Sequence, residues 1–203
     1  MTAKERPFAV RFFDDQFARQ IAAGDFALNP FETLALGYVR GSVLDLGCGL
    51  GNLALEAAKR GCKVTAVDAS RPAVRRLRGA AKRLGLGIRV VAADADTFCI
   101  EDQYDSVVCI SLLMFFEPAK ARALLTNLQQ AVAPGGVAIV NASIEGTTFM
   151  GMFDPRSHCL FRRGEIEAAF GGWDLLETRV DEFPAPQATK KVSSTVVARR
   201  RPG

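Results

Sequence analysis

The chain has 203 residues, of which 49% are hydrophobic and 24% are charged, and its formal net charge is +4. This length suits one domain with its own buried core, and the composition excludes a disordered chain, so we expect a single domain over residues 1–203. No apolar run is long enough to cross a bilayer, and the first residues lack the apolar segment of a secretory signal, so we expect a cytoplasmic protein that does not bind membranes.

Apolar periodicity predicts helices that alternate with strands along most of the chain. The predicted helices span residues 8–23, 30–40, 52–60, 72–84, 118–132 and 164–170. The predicted strands span residues 42–46, 63–67, 88–92, 105–111, 136–141, 173–182 and 191–198. Near-continuous apolar strands separated by helices favour an α/β fold, with a mostly parallel sheet that is covered on both faces. The last two strands have no helix between them, which favours an antiparallel hairpin at the sheet edge.

Three glycines, Gly47, Gly49 and Gly51, alternate with other residues directly after the first predicted strand. Glycines at this spacing weaken helices and strands, unless the backbone must turn tightly or allow a ligand to approach closely. In an open parallel sheet, the ligand crevice lies beyond the carboxyl ends of the strands. The glycine loop therefore predicts a cofactor site at this edge of the sheet.

Three aspartates end successive predicted strands: Asp45, Asp68 and Asp94. Aspartate is also common in turns and caps, but an acidic residue at the second strand tip can accept hydrogen bonds from the two hydroxyls of a ribose. A nicotinamide cofactor would require G-x-G-x-x-G, and Asn52 stands where its third glycine should be. Asp45 would also repel a pyrophosphate, whereas it suits a cofactor with a cationic amino group and a sulfonium.

The run from Asp45 to Gly51, with Asp68, Asp94 and the later Pro134-Gly135-Gly136, resembles the class I S-adenosylmethionine-dependent methyltransferases. The resemblance implies a Rossmann-like, seven-stranded sheet in the order 3-2-1-4-5-7-6, with helices on both faces and an antiparallel edge hairpin. We expect an N-terminal helical lid region at 1–40, a cofactor-binding core at 41–142, and an acceptor-side loop, helix and edge strands at 143–203.

A closer resemblance is to the tellurite-resistance-type methyltransferases. It rests on four segments: Gln103-Tyr104-Asp105, Leu112-Leu113-Met114-Phe115-Phe116, Phe161-Arg162-Arg163-Gly164-Glu165-Ile166 and Gly172-Trp173. These segments all lie in the second half of the chain, outside the glycine loop.

The resemblance implies that the cofactor is S-adenosyl-L-methionine, and that the product is S-adenosyl-L-homocysteine. It implies that Asp45 lies near the methionine amino group, Asp68 on the ribose and Asp94 on the adenine amino group. Arg11 is either a partner for the methionine carboxylate or a solvent-exposed arginine. The full set of predicted cofactor-binding residues is Arg11, Asp45, Gly47, Cys48, Gly49, Asp68, Ala69, Asp94, Ala95 and Ser111.

The five cysteines contain no C-x-x-C pair, and we expect reduced thiols and no metal site. Cys48 could be a nucleophile, but a small residue packed in the loop is the preferred interpretation. His158, in the long loop after the fifth strand, is the candidate catalytic base, although a single histidine is more often structural.

The first helix carries an aromatic stripe, formed by Phe8, Phe12, Phe13 and Phe17, at helical spacing. The stripe could close over the cofactor as a lid, but packing of this face against the sheet is the preferred interpretation.

The exit of the fourth strand is apolar and lacks the Asn/Asp-Pro-Pro-Tyr motif of many amino methyltransferases. An apolar wall without a base suits a small-molecule acceptor with a soft nucleophile, such as a thiol or a chalcogen oxyanion, with catalysis by positioning. One alternative is an RNA or protein methyltransferase, supported only by a basic helix face formed by Arg71, Arg75, Arg78 and Lys82. A second is a non-catalytic protein that binds S-adenosylmethionine. We do not expect nucleic acid as a partner.

Overall fold

A computed structural model describes residues 7–202 of the chain. The helices are α1 (Phe8–Ala23), α2 (Pro30–Leu36), α3 (Asn52–Lys59), α4 (Arg71–Leu84), α5 (Pro118–Gln130) and α6 (Glu165–Ala169). The strands are β1 (Ser42–Leu46), β2 (Lys63–Asp68), β3 (Arg89–Ala92), β4 (Tyr104–Ile110), β5 (Val132–Ser143), β6 (Asp174–Ala185) and β7 (Thr189–Arg199). Among the described residues, no helix combines the length and the apolar character needed to cross a membrane.

The seven strands form one sheet in the order β3-β2-β1-β4-β5-β7-β6. Strands β1 to β5 are parallel, and β7 runs antiparallel to both of its neighbours, β5 and β6. The predicted fold class, the strand order and the antiparallel edge are therefore confirmed. Because strand order reverses between β1 and β4, the carboxyl ends of these two strands border the expected ligand crevice.

The sheet is buried on both faces by two separate apolar clusters. Val43 of β1 belongs to the cluster that includes residues of α2, α3 and α4, whereas the next residue, Leu44, belongs to the cluster formed with α5 and α6. Successive side chains of a strand point to opposite faces, so a strand covered on both sides must be apolar at nearly every position. This explains the almost unbroken apolar runs in the sequence.

Several predicted boundaries are wrong by a few residues. The second helix ends at Leu36 instead of residue 40, because the N–H of Gly37 closes the last turn on the carbonyl of Leu34 at 3.0 Å. Strand β5 begins at Val132 instead of residue 136, because Val132 already pairs with Tyr104 before a register shift. Helix α4 is capped by Ser70, whose Oγ accepts a hydrogen bond from the N–H of Ala73 at 3.3 Å.

Candidate functional site

A cavity of about 790 Å³ lies at the carboxyl ends of the parallel strands. This volume is in the range of small-molecule sites. Its walls come from α1, α2, the glycine loop (residues 47–51), the tips of β2 and β3, the segment after β4, the loop after β5, and the β6–β7 hairpin. The lining residues predicted from the sequence are Asp45, Gly47, Cys48, Gly49, Asp68, Ala69, Asp94, Ala95 and Ser111.

The glycine loop turns sharply and lies close to neighbouring side chains. The N–H groups of Gly47 and Cys48 both donate to the carbonyl of Val67, at 2.8 and 3.0 Å, which ties the loop to the end of β2. Gly49 has a φ of +52°, and a Cβ there would lie 3.1 Å from the ring of Phe17 on α1. A side chain at Gly49 would therefore be strained by its backbone and crowded by the helix above it.

Asp68 is a backbone anchor as well as a cavity residue. Its Oδ2 accepts a hydrogen bond from the N–H of Gly49 at 2.8 Å, and its Oδ1 accepts one from the N–H of Ser70 at 2.7 Å. Burial raises the pKa of Asp68, and these two N–H donors oppose that rise. Each carboxylate oxygen can accept a further hydrogen bond, so both remain available to ligand hydroxyls.

Asp45 is only 4% exposed at the tip of β1, and its Oδ2 has no hydrogen-bond partner among the described residues. Burial, and after it the charges of Glu32 and Asp68, raise the pKa of Asp45 to about 8. A buried, unpartnered carboxyl oxygen beside other acids is costly unless a cation or a donor meets it. The ammonium group of a methionine moiety is such a partner, so Asp45 fits the predicted cofactor.

Glu32 is a cavity residue that the sequence analysis missed. It belongs to a capping box, in which its Oε2 accepts from the N–H of Asn29 at 2.8 Å, while Asn29 Oδ1 accepts from the N–H of Glu32 at 2.9 Å. Burial also raises the pKa of Glu32. The spacing of Asn29 and Glu32 could have revealed the helix start, but nothing local shows that this helix end faces Asp45.

Asp94 lies at the third strand tip, and burial raises its pKa. Its neighbour Asp96 forms an ion pair with Lys120 of α5 at 2.5 Å, and all three residues line the cavity. Asp94 Oδ1 also accepts a hydrogen bond from the N–H of Asp96 at 3.4 Å, so the carboxylates of Asp94 and Asp96 lie together near the tip of β3.

Helix α1 lies over the cavity. Phe12, Phe13 and Phe17 line it, and Phe13 meets Phe115 edge-on with ring centroids 5.1 Å apart. No residue of α1 is fully buried, although Phe12 packs partly against the core. The aromatic stripe therefore faces the cavity more than the sheet, against our preferred interpretation, because the glycine loop and its crevice separate the helix from the strand ends.

Ser111 has an unusual backbone conformation for a residue other than glycine, with a φ of +53°. Its N–H donates to the carbonyl of Asn141 at 2.9 Å, and its hydroxyl donates to Asn141 Oδ1 at 3.0 Å. Asn141 in turn donates through Nδ2 to Thr195 Oγ1 at 2.9 Å. Hydrogen bonds thus link Ser111, just after β4, to Asn141 of β5 and Thr195 of β7, and the first two of these residues line the cavity.

Cys48 is buried, and burial raises the pKa of its thiol well above the usual range. The thiol lies 3.7 Å from the carbonyl oxygen of Gly49. A buried thiol that resists ionisation is a poor nucleophile, so this geometry supports the interpretation of Cys48 as a packed residue.

Arg11 and His158 do not lie with the other predicted residues. Arg11 is exposed on α1 and is not among the residues that line the cavity. The His158 ring stacks beside Phe153 with centroids 5.4 Å apart, its Nδ1 lies 3.0 Å from the carbonyl oxygen of Asp154, and it does not line the cavity either. Their functional roles stay predictions.

Residues 43–136 match the family model described as a methyltransferase domain. The matched segment contains Asp45, the glycine loop, Asp68 and Asp94, so the match supports the predicted methyltransferase domain and its cofactor, S-adenosylmethionine. The chain is 31% identical over 140 residues to carboxy-S-adenosyl-L-methionine synthase of Aeromonas hydrophila, an alignment that covers 65% of this chain and 56% of that protein. The chain spans about half the length of the curated relatives it matches.

Two solved structures extend the comparison. TehB from Haemophilus influenzae has a TM-score of 0.75 and 21% identity, covering 93% of this chain and 67% of that one. At this identity, the similarity concerns the fold alone. A structure that concerns the conversion of a disulfide bond into a thioacetal group during echinomycin biosynthesis has a TM-score of 0.64 and 28% identity, covering 86% of this chain and 82% of that one.

Proposed function

We propose that this protein transfers a methyl group from S-adenosylmethionine to a small-molecule acceptor, and that the accepting atom is a soft nucleophile such as a thiolate or a chalcogen oxyanion. The observation that carries the proposal is the continuity of the cavity, in which the strand-tip aspartates share one space of about 790 Å³ with the walls formed by β5 and β7. When bound, S-adenosylmethionine supplies a methyl group that is already activated, so the protein must chiefly align the acceptor.

The residues at one end of the cavity suit the cofactor. Asp45 offers an unpartnered carboxyl oxygen to the methionine amino group, Asp68 offers oxygens to the ribose hydroxyls, and Asp94 offers an acceptor to the adenine amino group. Phe17 lies against Gly49 of the glycine loop, and Phe12 and Phe13 line the same cavity, so these rings would exclude water from the bound cofactor.

The acceptor side of the cavity is mainly apolar, with Leu112, Phe115, Phe116 and Met152 in its walls. Among the described residues that line the cavity there is no histidine and no tyrosine. An acceptor that is ionised at neutral pH needs no proton removed in the transition state, so such walls support a soft, ionised nucleophile. The related structure that concerns thioacetal formation is one of sulfur chemistry, which adds support for a sulfur acceptor.

A screen by mass spectrometry tests this proposal. The protein is incubated with S-adenosylmethionine and separately with thiols, selenite, tellurite and small carboxylates, and methylated products are measured. We expect methylation of a thiol or a chalcogen oxyanion by the wild type, and much less by the D68N variant. Methylation of carboxylates alone would contradict the soft nucleophile. Tight binding of S-adenosylhomocysteine without any turnover would instead support the non-catalytic alternative.

A tellurite-type acceptor, a cytoplasmic location and a lid function of residues 1–40 belong to the same proposal. The incubation with tellurite in the screen tests the tellurite-type acceptor. The placement of Phe13 and Phe17 over the cavity supports the lid function.

A further inference from the structure

Lys191 of β7 lines the cavity as a half-buried cation. Its Nζ lies 4.9 Å from the centroid of the Phe149 ring, and burial lowers its pKa. Within residues 7–202, no carboxylate forms an ion pair with Lys191, whereas the other lysine that lines the cavity, Lys120, is paired with Asp96. A partly desolvated ammonium without a counterion is costly, and a ligand anion would relieve that cost.

Ser193 adds a hydrogen-bonding group beside this lysine. It is 6% exposed and lines the cavity, and its Oγ has no partner among the described residues. Lys191 and Ser193 are two positions apart on one strand, so their side chains lie on the same face of the sheet. Ser143 of β5 stands directly opposite Ser193 in the register and also lines the cavity.

Aromatic rings border this part of the cavity. Phe183 pairs with Lys191 across β6 and β7, and its ring meets that of Phe31 edge-on at 5.5 Å. Phe31, Phe149 and Phe183 all line the cavity. A cation and a buried hydroxyl surrounded by aromatic rings suit an organic anion with an apolar body better than a small inorganic ion.

Lys191 and Ser193 lie at a distance from Asp45, because other strands of the sheet separate them. Three strand spacings, from β1 through β4 and β5 to β7, place Lys191 and Asp45 on strands about 14 Å apart. The cavity thus has an acidic end at Asp45 and Glu32, which suits the cofactor's ammonium, and a basic end at Lys191.

We propose that the methyl acceptor carries a carboxylate, which Lys191 and Ser193 bind while its apolar body lies among Phe31, Phe149 and Phe183. This inference rests on the proposed function, because it assigns the acceptor to the same cavity. It narrows the acceptor to an organic monocarboxylate that bears the soft nucleophile elsewhere in the molecule, and so favours a thiolate over inorganic tellurite or selenite.

Calorimetric titration of the protein saturated with S-adenosylhomocysteine tests this assignment without requiring turnover. The probes are phenylacetate and its neutral analogue phenylacetamide. The variant is K191M, and the matched control is K190M. Lys190 is adjacent to Lys191 on β7, but it pairs with Glu182 at 3.0 Å and does not line the cavity. We expect K191M to weaken phenylacetate binding about tenfold or more and to change phenylacetamide binding little. K190M should bind phenylacetate as the wild type does.

A second variant, S193A, should weaken phenylacetate binding by a smaller factor, about threefold. If K191M fails to fold, K191Q replaces it, and the same loss of phenylacetate binding is expected. Equal phenylacetate binding by the wild type and K191M, or no binding by the wild type, would overturn the proposal. So would a comparable loss of S-adenosylhomocysteine affinity in K191M, which would assign the lysine to the cofactor carboxylate. Discrimination between the two probes by a protein that transfers no methyl group in the acceptor screen would support a carboxylate subsite at Lys191 and refute the proposed function.

Discussion

The backbone N–H of Gly49 donates to Oδ2 of Asp68 over 2.8 Å, so the residue predicted to bind the ribose also holds the glycine loop in place. The other oxygen of the same carboxylate accepts from the N–H of Ser70, at the start of α4. One side chain thus fixes two of the cavity walls relative to each other. Loss of its charge should therefore affect both cofactor affinity and the stability of the fold.

The D68N substitution tests this double role. Asparagine keeps one acceptor oxygen but presents an NH₂ group to one of the two N–H donors, so one hydrogen bond must be lost. We expect S-adenosylhomocysteine to bind about tenfold more weakly or worse, and the free energy of unfolding to fall by about 1–2 kcal/mol. Titration calorimetry and denaturant unfolding measure the two effects. D102N, at an exposed aspartate outside the cavity, is the control and should change neither.

Asp45 should release a proton when the cofactor binds. Its pKa of about 8 keeps the free carboxyl largely protonated at pH 7, and an ammonium group beside it favours the ionised form. Affinity for S-adenosylhomocysteine should therefore rise with pH up to about pH 8. Calorimetry in buffers of different ionisation enthalpy measures the proton release, which the D45N variant should lose. Equal release by both proteins would show that another group titrates.

The same carboxyl makes the stability of the free protein depend on pH. The folded-state pKa of Asp45, about 8, lies above its ordinary value of 3.8, so between these pH values the unfolded chain loses a proton that the folded protein keeps. Stability should therefore fall as pH rises across this window, in contrast to an aspartate in an ion pair. Thermal unfolding from pH 5 to pH 8 should show a shallower decline for D45N than for the wild type. Parallel curves would contradict the raised pKa.

Gly51 should tolerate substitution far less well than Gly85. Both have positive φ, +74° and +66°, but a Cβ at Gly51 would lie 2.5 Å from Leu77 in the core, whereas Gly85 has open space around it. We expect G85A to cost about 1 kcal/mol for its backbone conformation alone, and G51A to cost roughly 3 kcal/mol or more. Denaturant unfolding of the two variants compares them directly. Similar losses would mean that Leu77 moves aside.

Cysteine reactivity should follow burial. Cys99 is exposed and Cys62 is partly buried, whereas Cys48, Cys109 and Cys159 are buried. Burial also raises the thiol pKa of Cys48, which disfavours the reactive thiolate. Iodoacetamide should therefore modify Cys99 first and leave Cys48 unmodified in the folded protein, as peptide mass mapping would show. Early modification of Cys48 would revive its interpretation as a nucleophile.

The parallel strands and the antiparallel edge were predictable because their signals are local in the chain, whereas the strand order came from the resemblance to a known family. Strands buried on both faces are apolar throughout, and the missing helix before residue 191 marks the antiparallel edge. The element ends were less accurate, because pairing across the sheet decides them. Val132 extends β5 only because Tyr104 lies beside it.

The cofactor end of the cavity was predictable for a similar reason. Asp45, Gly47 and Gly49 follow one another in sequence, and Asp68 comes at a fixed distance beyond the intervening helix, so their spacing alone indicates that they meet at one edge of the sheet. The conformational freedom of glycine and the charge of aspartate are intrinsic to those residues. The chain thus determined by itself its alternation of helices and strands, the place of its glycine loop and the positions of its strand-tip aspartates.

Only the tertiary structure decided which distant residues complete the site. Glu32 comes to face Asp45 from a helix that precedes β1, and α1 brings Phe17 over Gly49. Lys190 and Lys191 are chemically identical neighbours in the chain, but side chains alternate between the two faces of β7. Lys190 therefore pairs with Glu182, whereas Lys191 lines the cavity. Burial, and with it the raised pKa of Asp45, exists only when these elements pack together, because desolvation is a property of the assembled site.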